Sequence, residues 1–569
     1  MCAHFLFPSG VSFHIWKENR EPQKTFSDEI VPSAPPPAGD SRLKIPGDIR
    51  KKTWASAIRA LIVFFAADLG HAAFDNNLSP AELRGRTIYR KGESPSARPI
   101  MTLVGDTEIE AKLVPCGSCH GMDGRGRPEG SVVPPSIRWE DLISPRRVAA
   151  DGRERAPYTE NFLIRAMTMG FDSQGNRLHA AMPRYALSRS DADDLVAYLK
   201  KLSTDYDPGL SDDAVRIGAL LPPNSKYPDL SSAIQGALTA YFADLNKGGG
   251  LYGRRIELLC RELPPEPEKV APAFREFLEK EQPFALVASF IAGSEKQSAA
   301  VLQEQKAPLV GAWTLLPEAK ASSSSPLFYL DSGLLGQSEA LAAFALREYT
   351  GAGEKLEIVV SDDELSHAAA DAARTKLQGS RWAAAETVNG PADASDADGL
   401  VQRLAAARVK VLFLALRQPQ LVALLQAIQR RNWNPVLLIP SAFYTDGSDL
   451  QSFSGRAFLA VSSLPSDVTR DALAEYKKLA SAYGLSPRHL AAQYTALAEA
   501  KILTEGLKRA GRDLLRERLL ESLEGLYDFP TGFSPPVNFG PAKHAGITRF
   551  HIMTVDPVTG NLAEVNGAR

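Results

Sequence analysis

From Ala214 onward, short runs of β-branched and aliphatic residues recur along the chain: "VRIGALL", "RIELLC", "FALVAS", "LEIVV", "VKVLFLAL" and "PVLLIP". Longer stretches with a helical apolar period separate them. In "LSSAIQGALTAYFADLN", Leu230, Ile234, Leu238, Tyr241 and Leu245 share one stripe. Strands alternating with helices predict βαβ units and parallel sheet, and the length of the segment suits two doubly wound lobes. "ITRFHIMTV" (Ile547–Val555) alternates like an antiparallel strand.

Residues 78–204 follow a different pattern, rich in loops with helical patches. "SPAELRGRTIY" opens on Ser79 as N-cap with Pro80 behind it, and "TENFLIRAMTMGF" predicts a second short helix. "SDADDLVAYLKKL" (Ser190–Leu202) predicts a third. Ser190 is its expected cap, acidic residues lie at its start and lysines at its end, and Leu195, Tyr198, Leu199 and Leu202 form its apolar face. "STDYDPGLSDD" reads as a linker, with its core at 205–213 and an α/β domain over 214–569.

The first 73 residues fit neither pattern. "VPSAPPPAGD" is proline-rich without an apolar period and reads as disordered. Arg50, Lys51, Lys52 and Arg59 then precede the apolar run Ala60–Ala67, and Gly70-His71-Ala72-Ala73 supplies small residues for cleavage. The run falls well short of the roughly 20 residues that span a bilayer. A secretory signal peptide over 50–73 is expected, cleaved after Ala72 or Ala73. Residues 1–49 are then a disordered or misassigned extension, and the true start lies at a Leu, Val or Ile position. The expected location is periplasmic, with no membrane-spanning segment once the signal is removed.

Composition narrows the chemistry. The chain has 569 residues, 44% hydrophobic and 23% charged, with a formal net charge of -2, which gives no reason to expect a nucleic-acid partner. Only four cysteines occur, so a disulfide-stapled fold is unexpected, and two of them fall in "PCGSCHG". Cys-x-x-Cys-His is the attachment run of a c-type haem: Cys116 and Cys119 meet the two vinyl groups and His120 meets the iron. A redox dithiol would want a βαβ context around residue 116. A zinc site would want a second Cys or His pair at suitable spacing. Neither is present in the sequence. For the opposite face of the iron, Met182 in "HAAMPRYALSRSDADD" is favoured and His179 is the rival; Met122 is too close to His120, and Met167 and Met169 read as core. His/Met ligation raises the reduction potential and closes the iron to small molecules. Cys260 reads as a buried strand residue.

On these residues, 80–204 resembles a class I c-type cytochrome domain. "GRTIYRKG" is similar to the family's first helix, where Gly85 and Tyr89 would pack on Tyr198 of the last. "CGSCHGMDGRG" resembles the haem run, and "MPRYALSRSDADDLVAYLKKL" the run with the distal methionine. The resemblance implies that the carbonyl of Pro134 or Pro135 accepts a bond from the proximal His120. Beyond residue 213, "AIQGALTAYFADLNKGGGLYGRRIELLCREL" resembles periplasmic binding proteins of the branched-chain amino-acid (type I) class, in Asn246, Gly249, Gly250, Gly253, Arg254, Ile256, Glu257 and Leu258. That implies a two-lobed α/β fold with a ligand cleft, and by position it places Ser294, Ala312 and Thr314 at the ligand. Ser294 reads equally as a helix N-cap. The acidic partner for an amino-acid ammonium has no clear counterpart, which argues against an ordinary amino acid.

The expected architecture is therefore multidomain: a small all-α cytochrome c domain, then a two-lobed α/β domain. The expected function is electron transfer by one covalent haem c, with a fused small-molecule-binding domain serving a periplasmic oxidation pathway such as a quinoprotein dehydrogenase. The alternative is a solute-binding receptor of an ABC-type uptake or signalling system with a redox-sensing haem. The partners are then a dehydrogenase or a downstream cytochrome or oxidase, together with a small molecule in the cleft. His/Met ligation argues against an enzyme acting at the haem.

Overall fold

The computed structural model describes residues 78–95, 98–126, 132–147, 154–318, 325–349, 354–444, 450, 453, 455–556 and 561–565. The expected signal peptide and the extension before it lie outside these residues. Among the described residues, no helix is long and apolar enough to cross a membrane.

The first domain is built on two helices. Helix α1 (Pro80–Lys91) starts in a capping box, with Ser79 accepting from the Glu82 amide and Glu82 reaching back to Ser79. The haem run forms the one-turn helix α2 (Cys116–His120), α3 spans Trp139–Leu142 and α4 spans Glu160–Met169, capped by Thr159. The last helix, α5 (Arg189–Leu199), begins one serine earlier than expected: Ser188, not Ser190, accepts from the Asp191 amide. Met167 is buried as expected, but Met169 is 62% exposed and does not pack in the core.

The domain is not purely helical. Strands β1 (Met101–Val104) and β2 (Thr107–Glu110) form a hairpin, and Arg184–Tyr185 joins β1 as a third strand. Four-residue strands of mixed polarity carry too little alternation to be read from sequence.

Gly85 lets α1 and α5 touch. A Cβ on Gly85 would lie 2.0 Å from the Asp194 carbonyl oxygen and 2.7 Å from the Tyr198 Cβ. Around this contact Tyr89 and Tyr198 are fully buried with ring centroids 5.6 Å apart. Arg84 grips Asp194 with two bonds of 2.7 and 2.8 Å. Gly85→Ala gains about 1 kcal/mol of helix propensity, but backbone cannot yield to the new methyl. The expected net effect is a loss of about 2 kcal/mol, seen as a lower denaturant midpoint for the Soret transition of the full chain. An unchanged midpoint would show that the helices do not meet at this glycine.

The α/β region is two parallel sheets. The first has six strands in the order Ala545–Ile547, Leu327–Asp331, Leu309–Trp313, Ala285–Phe290, Ala214–Leu221, Arg255–Glu262, all parallel. The second runs Thr387–Asn389, Lys355–Val360, Val409–Ala415, Val436–Pro440, Arg456–Val461, followed by His551–Val555 and Leu562–Glu564 in antiparallel sense. Every strand named from the sequence is present. The expected antiparallel run at 547–555 splits, its first residue ending a parallel strand of the first sheet and its second half forming the antiparallel strand of the other. Asn246 closes its turn as the motif implied: its side chain accepts from the Ile256 amide at 2.7 Å and donates to the Ile256 carbonyl at 2.8 Å. Cys260 sits half-buried on the edge strand, and burial pushes its thiol up to about 12.

The chain passes between the sheets three times, after Asp331, after Val461 and after Ile547. Helix Gly333–Glu348 therefore packs in the second lobe, and Arg470–Tyr483 and Leu490–Ala510 return to the first.

Candidate functional site

His120 is 5% exposed, and its Nδ1 lies 3.1 Å from the Pro135 carbonyl oxygen. Nδ1–H donates there, and the other ring nitrogen, Nε2, has no protein partner among the described residues. Burial lowers the imidazole pKa more than the Pro135 carbonyl raises it, and the net lowering favours the neutral ring that a metal ligand requires. Of the two prolines the resemblance offered, Pro135 makes this contact. The Pro134 carbonyl instead packs on Gly126, where a Cβ would approach it to 2.0 Å. Gly126 also donates to the His120 carbonyl at 2.8 Å, so the glycine-rich stretch after the haem run wraps the histidine.

Cys116 and Cys119 are free thiols one helical turn apart. Burial pushes the Cys116 thiol up to about 11, with the Tyr185 hydroxyl opposing the shift. That hydroxyl donates to the Val114 carbonyl at 2.7 Å. Tyr185 lies three residues after Met182 and pairs with Thr102 of β1, so it ties the methionine loop to the entry of the haem run. Met182 itself is half-buried, and its amide closes a turn on the His179 carbonyl at 2.9 Å. Large apolar side chains stand exposed beside these elements in sequence, Leu113 at 67% and Val133 at 63%, apolar surface suited to a porphyrin. The two thiols and the imidazole with one nitrogen oriented form a donor set that fits haem c. Sequence reasoning missed Tyr185, because an isolated Tyr in a short polar strand carries no periodic signal.

The segment 205–213 is bonded at both ends. Asp205 Oδ2 accepts from Tyr198 at 2.7 Å and from Arg90 at 3.0 Å, and Arg86 pairs with it at 3.0 Å. Asp207 accepts from the Arg516 amide at 2.8 Å on the first lobe. Gly209 presses on that lobe, with a φ of 77° and room for no Cβ within 2.2 Å of the Phe284 amide. Arg125, just past the haem run, pairs with Asp212 at 3.3 Å, and a Cβ on Gly121 would lie 3.6 Å from Asp513 of the lobe.

The second site is a cleft of about 590 Å³ between the lobes. Its walls carry Tyr227, Phe290 and Trp313 from the first lobe and Leu365, Leu416 and Phe443 from the second. Of the three residues placed here from the sequence, only Thr314 lines it; Ser294 and Ala312 do not. The Ser294 hydroxyl is buried, bonded to the Ile291 carbonyl at 3.0 Å and to Ser298 at 2.9 Å, and it does not cap the following helix. Ala312 packs into the opposite side of its strand, since neighbouring strand residues face opposite ways. Its neighbour Trp313 lines the cleft instead.

Behind Trp313 stands a buried acid that nothing in the sequence marked. The indole N–H lies 2.8 and 3.0 Å from the two carboxyl oxygens of Glu499, which is 1% exposed. Gly311 makes this possible, because a Cβ there would come within 2.2 Å of the Glu499 Cδ. Burial raises the Glu499 pKa well above the carboxylate range; the Trp313 bond opposes this and nearby Asp331 adds to it. Asp331 ends the strand at the first crossing, accepts from the Gly333 amide at 2.7 Å and is pushed up to about 6 by burial, with Ser462 of the second crossing opposing. The cleft's aromatic wall is thus anchored beside the first crossing between the sheets.

Residues 111–203 match the family model for cytochrome c, and residues 214–561 match that for periplasmic binding protein. Similar solved structures include a branched chain amino acid ABC transporter from Thermus thermophilus with bound valine. It is 18% identical, with 63% of this chain and 96% of that chain covered and a TM-score of 0.47. A fatty acid ABC transporter substrate-binding protein from Thermomonospora curvata is 18% identical, covering 63% and 93% with a TM-score of 0.47. An ABC transporter substrate-binding protein from Desulfitobacterium hafniense in complex with Leu is 14% identical, covering 62% and 100% with a TM-score of 0.49. No curated protein matches the chain. With one match spanning well over half its length, the chain belongs to the periplasmic binding protein family and carries a cytochrome c domain ahead of the binding domain.

Proposed function

We propose that this chain is an exported, periplasmic electron-transfer protein, holding one haem c on Cys116 and Cys119 and a small molecule in the cleft between its lobes. The observation that carries the reading is the His120 imidazole, its Nδ1 held by the Pro135 carbonyl on the turn that presents both thiols. Bound haem supplies one-electron exchange at its iron. The chain's own residues do the rest. Pro135 fixes the tautomer and plane of His120, so that Nε2 would hold the iron of a bound haem. Tyr185 holds the Met182 loop against the haem run, where the Met182 thioether would be the second protein ligand to a bound haem. Bound haem held by His120 and Met182 would leave the chain an electron carrier rather than an enzyme acting at the iron. A periplasmic oxidation pathway, with a quinoprotein dehydrogenase as donor or a cytochrome or oxidase as acceptor, suits that role.

The second reading, a solute-binding receptor whose haem senses redox state, draws support from the bonds of Asp207 and Asp212 that join the haem domain to the first lobe. Covalent attachment is tested by acid–acetone extraction after expression with a c-type maturation system. Haem is expected to stay with the protein and to be lost on extraction from the Cys116→Ser, Cys119→Ser double variant. Full extraction from the unaltered chain would sink the reading.

A further inference from the structure

The charges around the cleft define what its walls accept. Two helices open on it, Glu295–Glu304 from the first lobe and Glu364–Leu377 from the second. A helix N-terminus favours an anion, and here each carries a protein carboxylate. Glu295 is the first residue of one helix and takes the Thr314 hydroxyl at 2.6 Å, so the hydroxyl that could reach a ligand is engaged. On the other helix, the cap Asp363 accepts from the Leu365 and Ser366 amides at 3.1 and 3.2 Å, and Glu364 follows it into the cleft lining.

The cations are tied down as well. Arg417 lines the cleft but grips Asp363 through bonds of 2.8 and 3.0 Å. Burial works to raise the Asp363 pKa, but Arg417 and Ser366 outweigh it and hold the acid below the usual range, so its carboxylate offsets the charge of Arg417. Lys226 donates to the Pro265 carbonyl. Glu295 and Glu364 face Lys226 and Arg417 across the lining, and of the two cations Arg417 is paired with Asp363 just outside it.

From this disposition we propose that the cleft binds an organic ammonium ion on an apolar body, and disfavours carboxylates. An ammonium group gains from Glu295 and Glu364 and from the aromatic walls of Tyr227, Phe290, Trp313 and Phe443, whose ring faces attract cations. The apolar body takes the remaining wall. A carboxylate would meet two like charges, with the helix amides on the second lobe already capped.

The proposal rests on the reading of the cleft as a ligand site, and its test separates the two. Four probes share one body: 2-phenylethylamine, 2-phenylethanol, 3-phenylpropionate and L-phenylalanine. Calorimetry and thermal shift on the full haem-loaded chain at low ionic strength are expected to rank the amine at least tenfold tighter than the propionate. The Glu295→Gln, Glu364→Gln double variant should shrink that ratio to threefold or less while the alcohol changes little. Added salt should weaken the amine selectively. Equal or tighter binding of the propionate or of phenylalanine overturns the ammonium assignment and leaves the cleft reading standing. Silence from all four probes, and from alkylamines of increasing length, overturns the cleft reading itself.

Discussion

Met182→Ala is expected to lower the haem midpoint potential by on the order of 0.1–0.2 V, a fraction of the roughly 0.8 V over which axial ligands tune haem. A thioether favours ferrous iron, and its loss leaves water or a nitrogen donor that favours ferric iron, so the sign is downward. The weak band at the red edge of the ferric spectrum, a mark of methionine on iron, should vanish with it. His179→Ala provides the internal comparison. Its ring nitrogen accepts from the Ala181 amide at 3.2 Å, a local turn contact, and its removal should leave potential and band in place. A band that survives in Met182→Ala would move the ligand to another methionine. A potential that shifts only in His179→Ala would make the site bis-histidine.

The two thiols and the imidazole were legible as one spacing on a single helical turn, whereas the helix pair Gly85–Tyr198 came from the resemblance to c-type cytochromes, and the structure packs the two residues together. Pro135 was legible only as one of two adjacent prolines. Which carbonyl turns to His120 depends on the path of the loop, and Gly126 decides it by packing against Pro134.

The cleft was less legible for a related reason. Ser294 and Ala312 miss it by a single residue each, beside Gly293 and Trp313, which line it. In a strand a one-residue slip moves a side chain to the other face. Transfer by position over diverged loops cannot resolve that slip. The acids Glu295 and Glu364 escaped notice because they lie at helix starts, where a glutamate is ordinary. The small sheet of the first domain escaped because its strands are shorter than the window that a two-residue period needs.

The largest stability effect is expected at Arg516, which no sequence pattern singled out. The residue is 9% exposed, and its guanidinium donates to the carbonyls of Pro283 at 2.6 Å, Phe284 at 2.9 Å, Gln305 at 2.8 Å and Lys306 at 3.2 Å. Burial pulls its pKa down to about 10, with Asp207 opposing, so the side chain still holds its charge at neutral pH. Arg516→Met keeps the length and apolar stem but strands four carbonyls, each costing about 1–3 kcal/mol when buried without a donor. Relief from burying a cation offsets part of that, and the expected net loss is about 3–5 kcal/mol. Because the Arg516 amide holds Asp207, while Arg86 and Arg90 pair with Asp205 and Asp207, the loss should reach the haem domain. Limited proteolysis should then cut within 205–213, a segment bonded at both ends in the unaltered chain. Thermal unfolding followed at the Soret band and by far-ultraviolet dichroism separates the outcomes. A drop in the lobe transition accompanied by cleavage of that segment supports a docked haem domain. A drop without cleavage would show that the contacts of Asp205 and Asp207 do not hold the two domains together.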